Sequence, residues 1–535
     1  MTTETRDAFG WVLRAENIPA YERSKTFSLQ FDSTWEALLE NGNLTPEAFL
    51  QDKNKIKEAT QLIRQGGVPH QYRKAVWPIL LRVSELKQDF SMAFYSKLVE
   101  SQSKLDPQVD DQIEKDIPRT FPESKGFTEE VASKLRNVLK AFALHRPNIG
   151  YAQSMNFVAT SLILVLEDEE LSFWCFKSMV ENILSDFYLS NLFGAQVEQQ
   201  TLEHFLKTHM KDVHDHLIKQ NVALSVLTIP WLLCATTTAL PFSTALVVLD
   251  QLFMDNSHAL IIACLAMVGH SKEKVLELRD AAGIAIHLRE ANANLYDIEV
   301  FVKQCAKLRS DLSDKEYKKA HTYSRTTILE QSQELVKKTQ IYNLSKSTSL
   351  SKEELEVLYK NFAKVKIDAA AVDAKTTGYI TPEKFSGIVD KVLPHFQHKS
   401  VLTSLFETFD TDKDGKVTYQ ELSSGLSLLW KGSLDSRLTF VFNVYDINKN
   451  GSLERSEFKN VILHMIKATR GRFYTLNQQK RIDAVFSTLD LDKSDGIALE
   501  EFKSIVRVEP MFVQMFAAPA SVSATEKQKE DCSIM

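Results

Sequence analysis

Two twelve-residue stretches, 410–421 and 446–457, place oxygen-bearing side chains at alternating positions around a glycine, and that spacing dictates what must surround them. In the first, Asp410, Asp412 and Asp414 hold positions 1, 3 and 5, Lys416 offers its backbone carbonyl at 7, Thr418 stands at 9 and Glu421 closes the loop at 12. A hard divalent cation such as calcium takes roughly six to eight oxygen ligands, and a glycine at position 6 permits the sharp turn that aims successive groups inward. Gly415 is that glycine. The second stretch repeats the scheme with Asp446, Asn448, Asn450, Gly451, the carbonyl of Ser452, Glu454 and Glu457. Apolar residues on both sides, Phe406 and Phe409 before the first loop and Leu422 after it, predict a helix flanking each end.

Two further stretches match less completely. Residues 490–501 keep Asp490, Asp492, Ser494 and Glu501 at ligand positions, but Asp495 stands at position 6 and Gly496 at 7. Aspartate tolerates a left-handed backbone better than most residues, so this loop reads as a third calcium site with altered turn chemistry. Residues 373–384 keep Gly378 and Ile380 in register but carry Lys375, Thr377 and Lys384 at positions 3, 5 and 12. A lysine cannot supply the closing carboxylate, so this unit is expected to be structural. The four form two pairs, 373 with 410 and 446 with 490. Residues 353–515 resemble the four-handed EF-hand calcium sensors of the calcineurin B and neuronal-sensor kind, which implies Ca2+ as a cofactor and an apolar groove that opens when calcium binds.

The preceding 56–345 show long apolar periodicity at helical spacing, as in Leu135, Val138, Leu139 and Phe142 or Leu171, Trp174, Cys175 and Met179. The expected fold is therefore all-α, a large helical domain followed by paired helix-loop-helix motifs. Residues 147–166 and 220–249 lack charge, and the second stretch exceeds the roughly 20 residues a membrane-spanning helix needs. Pro230, Pro241 and Thr236-Thr237-Thr238 interrupt it, and Asn148, Gln153, Ser154 and Asn156 mark the first, so both are expected to be buried core helices. Residues 303–338 read as exposed charged helices, and 346–352 as a connector ending in a Ser351/Glu354 capping box. In region 1–55, whose function is not legible, Thr45-Pro46 marks a helix start, while residues 27–31 fit either a short strand or a docked arm.

Two short signatures stand out in the helical domain, Ile113-Glu114-Lys115-Asp116-Ile117-Pro118-Arg119-Thr120-Phe121-Pro122 and Ile149-Gly150-Tyr151-Ala152-Gln153-Ser154-Met155-Asn156. With Gly67-Val68-Pro69, Arg73 and Trp77 upstream and Trp231, Pro241 and Asp250 downstream, the segment over about 60–300 closely resembles the TBC domain family, GTPase-activating proteins for Rab-type small GTPases. It departs from the family's aromatic-rich wording at Leu232 and Leu249. The resemblance implies that Arg119 stabilises charge on the phosphoryl oxygens and that Gln153 orients the attacking water, a dual-finger mechanism in trans. Asp116 then holds its local helix or orients Arg119, Tyr151 and Asn156 position the glutamine loop or simply pack, and Arg73 contacts partner or structure. No phosphate-cradling glycine loop ending in lysine and serine or threonine is present, so GTP and Mg2+ are expected to belong to the partner GTPase.

A net charge of -6 gives no reason to expect nucleic-acid binding. Five widely spread cysteines fit neither a zinc cluster nor a disulfide framework, and the start of the chain lacks a basic region followed by an apolar core. A cytoplasmic protein, peripheral on an intracellular membrane, is the expectation. The end, Cys532-Ser533-Ile534-Met535, is a farnesylation pattern with Cys532 as acceptor. Residues 516–535 are otherwise expected to be a flexible tail. The combined expectation is a calcium-binding activator of Rab-type GTPases in vesicle traffic; the alternative is a noncatalytic calcium-dependent GTPase-binding scaffold or adaptor.

Overall fold

A helix that is apolar all round must be buried on every side, and the two uncharged segments behave so except at Leu224–Leu233, where Val226 is 71% exposed and Pro230 also lies at the surface, so that helix is only half buried. The first becomes the helix Met155–Leu166, in which Met155, Val158, Ala159 and Leu162 are all fully buried. The second yields Leu224–Leu233 and most of Phe242–Asp255, and the latter packs against the equally apolar Ser257–His270. A computed structural model describes residues 4–39, 45–189, 191–366, 378–393, 399–468 and 478–508. The 516–535 tail with Cys532 and the loop positions 373–377 lie outside the described residues.

The chain divides into two units, Met1–Ile328 and Leu329–Met535. The first is helical, and its main core gathers Leu135, Leu139, Phe173, Phe176, Leu260 and Leu265 among many others. Side-chain caps set several helix starts. Thr128 accepts from the Val131 amide to begin Glu129–His145, and Asp168 accepts from Leu171 to begin Glu169–Ser178. No helix among the described residues is long and apolar enough to cross a membrane.

Residues 27–31 form no strand. Phe27, Ser28 and Leu29 close the helix Ile18–Leu29, and Phe31 caps Asp32–Leu38. Phe27 and Phe31 are one helical turn apart, so their rings meet edge to face at 5.3 Å. Gly66 makes room for Phe31, since a Cβ there would lie 2.3 Å from its ring. The charged stretch after 303 lies in two helices, Ile298–Asp311 and Asp314–Ser347.

In the second unit the Ser351/Glu354 capping box opens the helix Lys352–Phe362. Helices then flank each described loop, and the loops meet in two short antiparallel ribbons. Tyr379–Ile380 pairs with Val417–Thr418, and Ser452–Glu454 pairs with Gly496–Ala498. The residues at loop position 8, Ile380 opposite Val417 and Leu453 opposite Ile497, are all fully buried. Loop pairing and core formation are thereby one event.

Candidate functional site

The arginine loop begins where the helix Pro107–Asp116 tightens into the 3-10 turn Ile117–Arg119. Ile113 and Ile117 anchor this end in the core, whereas Pro118 and Arg119 are exposed. Thr120 is fully buried, its hydroxyl donating to the Asp116 carbonyl at 2.8 Å. Phe121 follows at φ +44°, a left-handed conformation that a bulky side chain adopts only where its surroundings impose it.

The glutamine loop leaves the helix Glu129–His145 through a turn in which the Gly150 amide donates to the Arg146 carbonyl at 2.7 Å, with Gly150 at φ +63°. It re-enters helix at Met155, straight after Ser154 at φ +91°. Gln153 is exposed between them. Two hydrogen bonds tie the loops together. The Tyr151 hydroxyl donates to Asp116 Oδ2 at 2.9 Å, and Asn156 Nδ2 donates to the Thr120 hydroxyl at 2.7 Å. All four of these residues are buried. Burial, reinforced by the Asp116 carboxylate, raises the Tyr151 phenol well above its ordinary range, so it stays a donor.

Arg119 thus adjoins one tie, and Gln153 lies in sequence between the residues that make both. Neither side chain has a hydrogen bond or ion pair among the described residues. The carboxylate of Asp116 is engaged by Tyr151, with no ion pair to Arg119. Thr120, which the sequence reading passed over, is the acceptor that joins the arginine turn to Asn156. Its place directly after the arginine was the available signal.

Arg73 is not at this surface. It forms a forked ion pair with Asp250, Nε to Oδ1 at 3.1 Å and Nη2 to Oδ2 at 2.9 Å. Trp77 Nε1 donates to the same carboxylate at 2.7 Å, and the Val68 amide at 2.8 Å. Asp250 is wholly buried, so its charge is tolerable only because all these donors surround it. Gly67, at φ +80°, leaves space for it, because a Cβ there would lie 2.9 Å from Oδ2. Arg73 therefore contacts structure, and the Arg73–Asp250 pair is a buried strut.

In the second unit, the carboxylate oxygens of Asp410, Asp412 and Asp414 converge within 4.8 Å of one another. Backbone amides hold them there. Asp410 accepts from Asp414 and Gly415, Asp412 from Asp414, and Asp414 from Lys416. Glu421 accepts from Thr411 with one oxygen and Thr418 with the other. Burial alone would raise Glu421, but these donors bring its carboxyl below the ordinary value. Gly415 turns at φ +79°.

The 446 loop repeats the pattern. Asp446 accepts from Asn450 and Gly451, Glu457 accepts from Ile447 and Glu454, and Asn448 and Asn450 both donate to Glu454. Asn450 in turn accepts from Ser452. In the 490 loop, Asp495 occupies the glycine's place at φ +62°. Asp490, Asp492 and Glu501 still converge. Its Ser494 hydroxyl donates to the Gly496 carbonyl at 2.9 Å, joining the groups at positions 5 and 7. In the remaining loop Gly378 turns at φ +110°, and Lys384 at position 12 is exposed. Clustered carboxylates, aimed together by backbone donors, fit a hard oxygen-ligated cation at 410 and 490, whereas the 446 loop offers Asp446 and Glu457 with asparagine oxygens between them.

Both regions are similar to known proteins. Residues 70–276 match the Rab-GTPase-TBC domain family, and 376–424 and 435–507 each match an EF-hand domain pair. Growth hormone-regulated TBC protein 1-A of Danio rerio is 27% identical over 304 residues, covering 55% of this chain and 83% of that protein. TBC1 domain family member 2A of Mus musculus is 35% identical over 261 residues, covering 48% of this chain but only 27% of that protein. The flagellar RabGAP TBC domain of Chlamydomonas shares the fold, with a TM-score of 0.50 at 23% identity over 57% of this chain and 99% of that domain. The chain thus carries a Rab-GTPase-TBC domain followed by paired EF-hands.

Proposed function

We propose that this protein is a calcium-binding GTPase-activating protein that accelerates GTP hydrolysis by a Rab-type small GTPase at a membrane surface in vesicle traffic. The observation that carries the reading is the pair of loops joined by buried hydrogen bonds, each presenting one exposed side chain, Arg119 and Gln153, with no hydrogen-bond or ion-pair partner among the described residues. Hydrolysis needs positive charge where the phosphoryl oxygens become more negative, and a group that holds water in line with the departing phosphate. The Arg119 guanidinium supplies the first and the Gln153 amide the second. Asp116, Tyr151, Thr120 and Asn156 hold them from beneath. Nucleotide and magnesium arrive with the GTPase.

The GTPase-facing domain is taken as 56–345, the connector as 346–352 and the calcium module as 353–515. Calcium, held at the 410, 446 and 490 loops, supplies the positive charge that lets their carboxylates share one space, and a farnesyl group on Cys532 brings the chain to the membrane. Single-turnover hydrolysis across a panel of purified Rab-type GTPases, with wild-type protein and Arg119→Ala compared in saturating calcium and in chelator, tests the reading. Acceleration lost in the variant supports catalysis in trans, and equal rates with calcium and chelator would sink calcium control of the isolated protein. Binding without acceleration anywhere in the panel would leave the scaffold reading in its place.

A further inference from the structure

Residues 5–13 form a small hairpin. The Leu13 amide donates to the Thr5 carbonyl at 2.8 Å, the Asp7 amide donates to the Trp11 carbonyl at 2.9 Å, and Arg6 bridges Val12. Its tip is set by Asp7, whose Oδ1 accepts from the Phe9 and Trp11 amides, and by Gly10 at φ +88°. That tip lies backbone to backbone on the turn at 123–126, which directly follows the arginine loop. Ser124 Oγ donates to the Phe9 carbonyl at 2.7 Å, and the Lys125 amide donates to the Gly10 carbonyl at 3.2 Å. The approach is too close for side chains, since a Cβ on Gly10 would sit 2.5 Å from the Gly126 nitrogen and one on Gly126 would sit 2.3 Å from the Phe9 oxygen.

Trp11 is the residue this contact delivers. Its ring stacks on Phe242 at 4.4 Å and meets Phe121 edge to face at 5.2 Å, while Phe121 meets Phe157 at 5.2 Å. Phe121 is the left-handed residue two positions after Arg119, and Phe157 lies four after Gln153. The aromatic cluster therefore lies against both loops, and two of its rings come from outside the segment 70–276 that matches the TBC family: Trp11, which alone of the two meets Phe121, and Phe9, which meets Phe242 edge to face at 4.8 Å. A left-handed phenylalanine is strained and persists only where its neighbours over-determine it.

We infer that the hairpin 5–13 is part of the activating machinery, with Trp11 a positioning residue that fixes Arg119 by holding Phe121 in its left-handed conformation. This rests on the GTPase-activating role proposed above. Trp11 touches no substrate; it acts through the loop.

The test uses the full chain, with Trp11→Ala, Trp11→Phe and Gly10→Ala, the last leaving Trp11 in place while driving the tip off its turn. Amide hydrogen exchange needs no GTPase, and should rise over 117–126 in Trp11→Ala and Gly10→Ala with the rest of the domain unchanged. In single-turnover hydrolysis with the most responsive Rab-type GTPase, Trp11→Ala should lower the saturating rate about ten- to hundredfold, as a displaced catalytic group does. The concentration for half-maximal effect should hold, and Trp11→Phe should restore most of the rate. Combined with Arg119→Ala, Trp11→Ala should subtract nothing further. Unchanged exchange over 117–126 overturns the brace, and a full additional loss in the double variant overturns its action through Arg119. A wild-type chain that accelerates no GTPase overturns the parent reading and the catalytic role with it, recognisably because exchange would still respond.

Discussion

Asp116 and Asp250 in the first unit take their donors from their own domain, a tyrosine hydroxyl for one and an arginine, a tryptophan and an amide for the other. Asp410, Asp412 and Asp414 in the second unit face one another across a loop whose backbone donors hold them in place. The first arrangement draws its donors from within the protein, and its exposed arginine and glutamine adjoin those buried bonds. The second brings like charges together and becomes favourable when a cation joins it. Preorganisation suits a site that stabilises a transient charge on another molecule, because no reorganisation is left for the moment of reaction. Electrostatic incompleteness suits a site that responds to an ion.

Substitutions should separate the two designs. Arg119→Ala should lower GTPase acceleration by about a thousandfold or more, while thermal unfolding moves by no more than about 0.5 kcal/mol, because the side chain is exposed. A comparable loss of stability would break the contrast. Next in size, Arg73→Met leaves the Asp250 carboxylate buried and unpaired, and should destabilise the first unit by about 3–5 kcal/mol in denaturant titration. Calcium at about a hundredfold over its dissociation constant should stabilise the second unit by about 2.7 kcal/mol per site. It should leave the unfolding of the first unit where it was, and Glu421→Gln should remove one site from the calorimetric count. Smallest, Tyr151→Phe removes a buried donor from Asp116 and should reduce stability by about 1–3 kcal/mol. Its activity loss should be well short of that of Arg119→Ala, and an equal loss would mean the tie contributes more than support.

The EF-hand loops were the most legible part of the sequence because their geometry is local. Twelve consecutive residues set the ligands and the turn, so Asp495 could be anticipated in the left-handed region where it stands. Helical periodicity likewise exposed the core of the first unit. The arginine and glutamine signatures were visible, but their coupling was not, since Tyr151 and Asn156 reach Asp116 and Thr120 across 35 and 36 residues. The alternation at residues 27–31 pointed equally to a strand, whereas i,i+4 aromatic pairing on a helix decided it. Arg73 could not be assigned from sequence because its partner lies 177 residues on. The hairpin at 5–13 left one clue, an aspartate three residues before a glycine, and what it rests on is set wholly by tertiary packing.

The buried strut at Asp250 also governs how the first unit comes into being. A ribosome releases Arg73 and Trp77 long before the carboxylate they share, which lies 177 and 173 positions further on. Contacts of such sequence separation form late, and the apolar surface waiting for them is open to misassociation meanwhile. Nascent chains ending short of residue 250 should therefore be chaperone clients and protease-sensitive, and resistance should appear only once the helix Phe242–Asp255 has cleared the exit tunnel. The strut itself can form only once Asp250 has been made, which ties closure of this part of the core to the far end of a 177-residue separation.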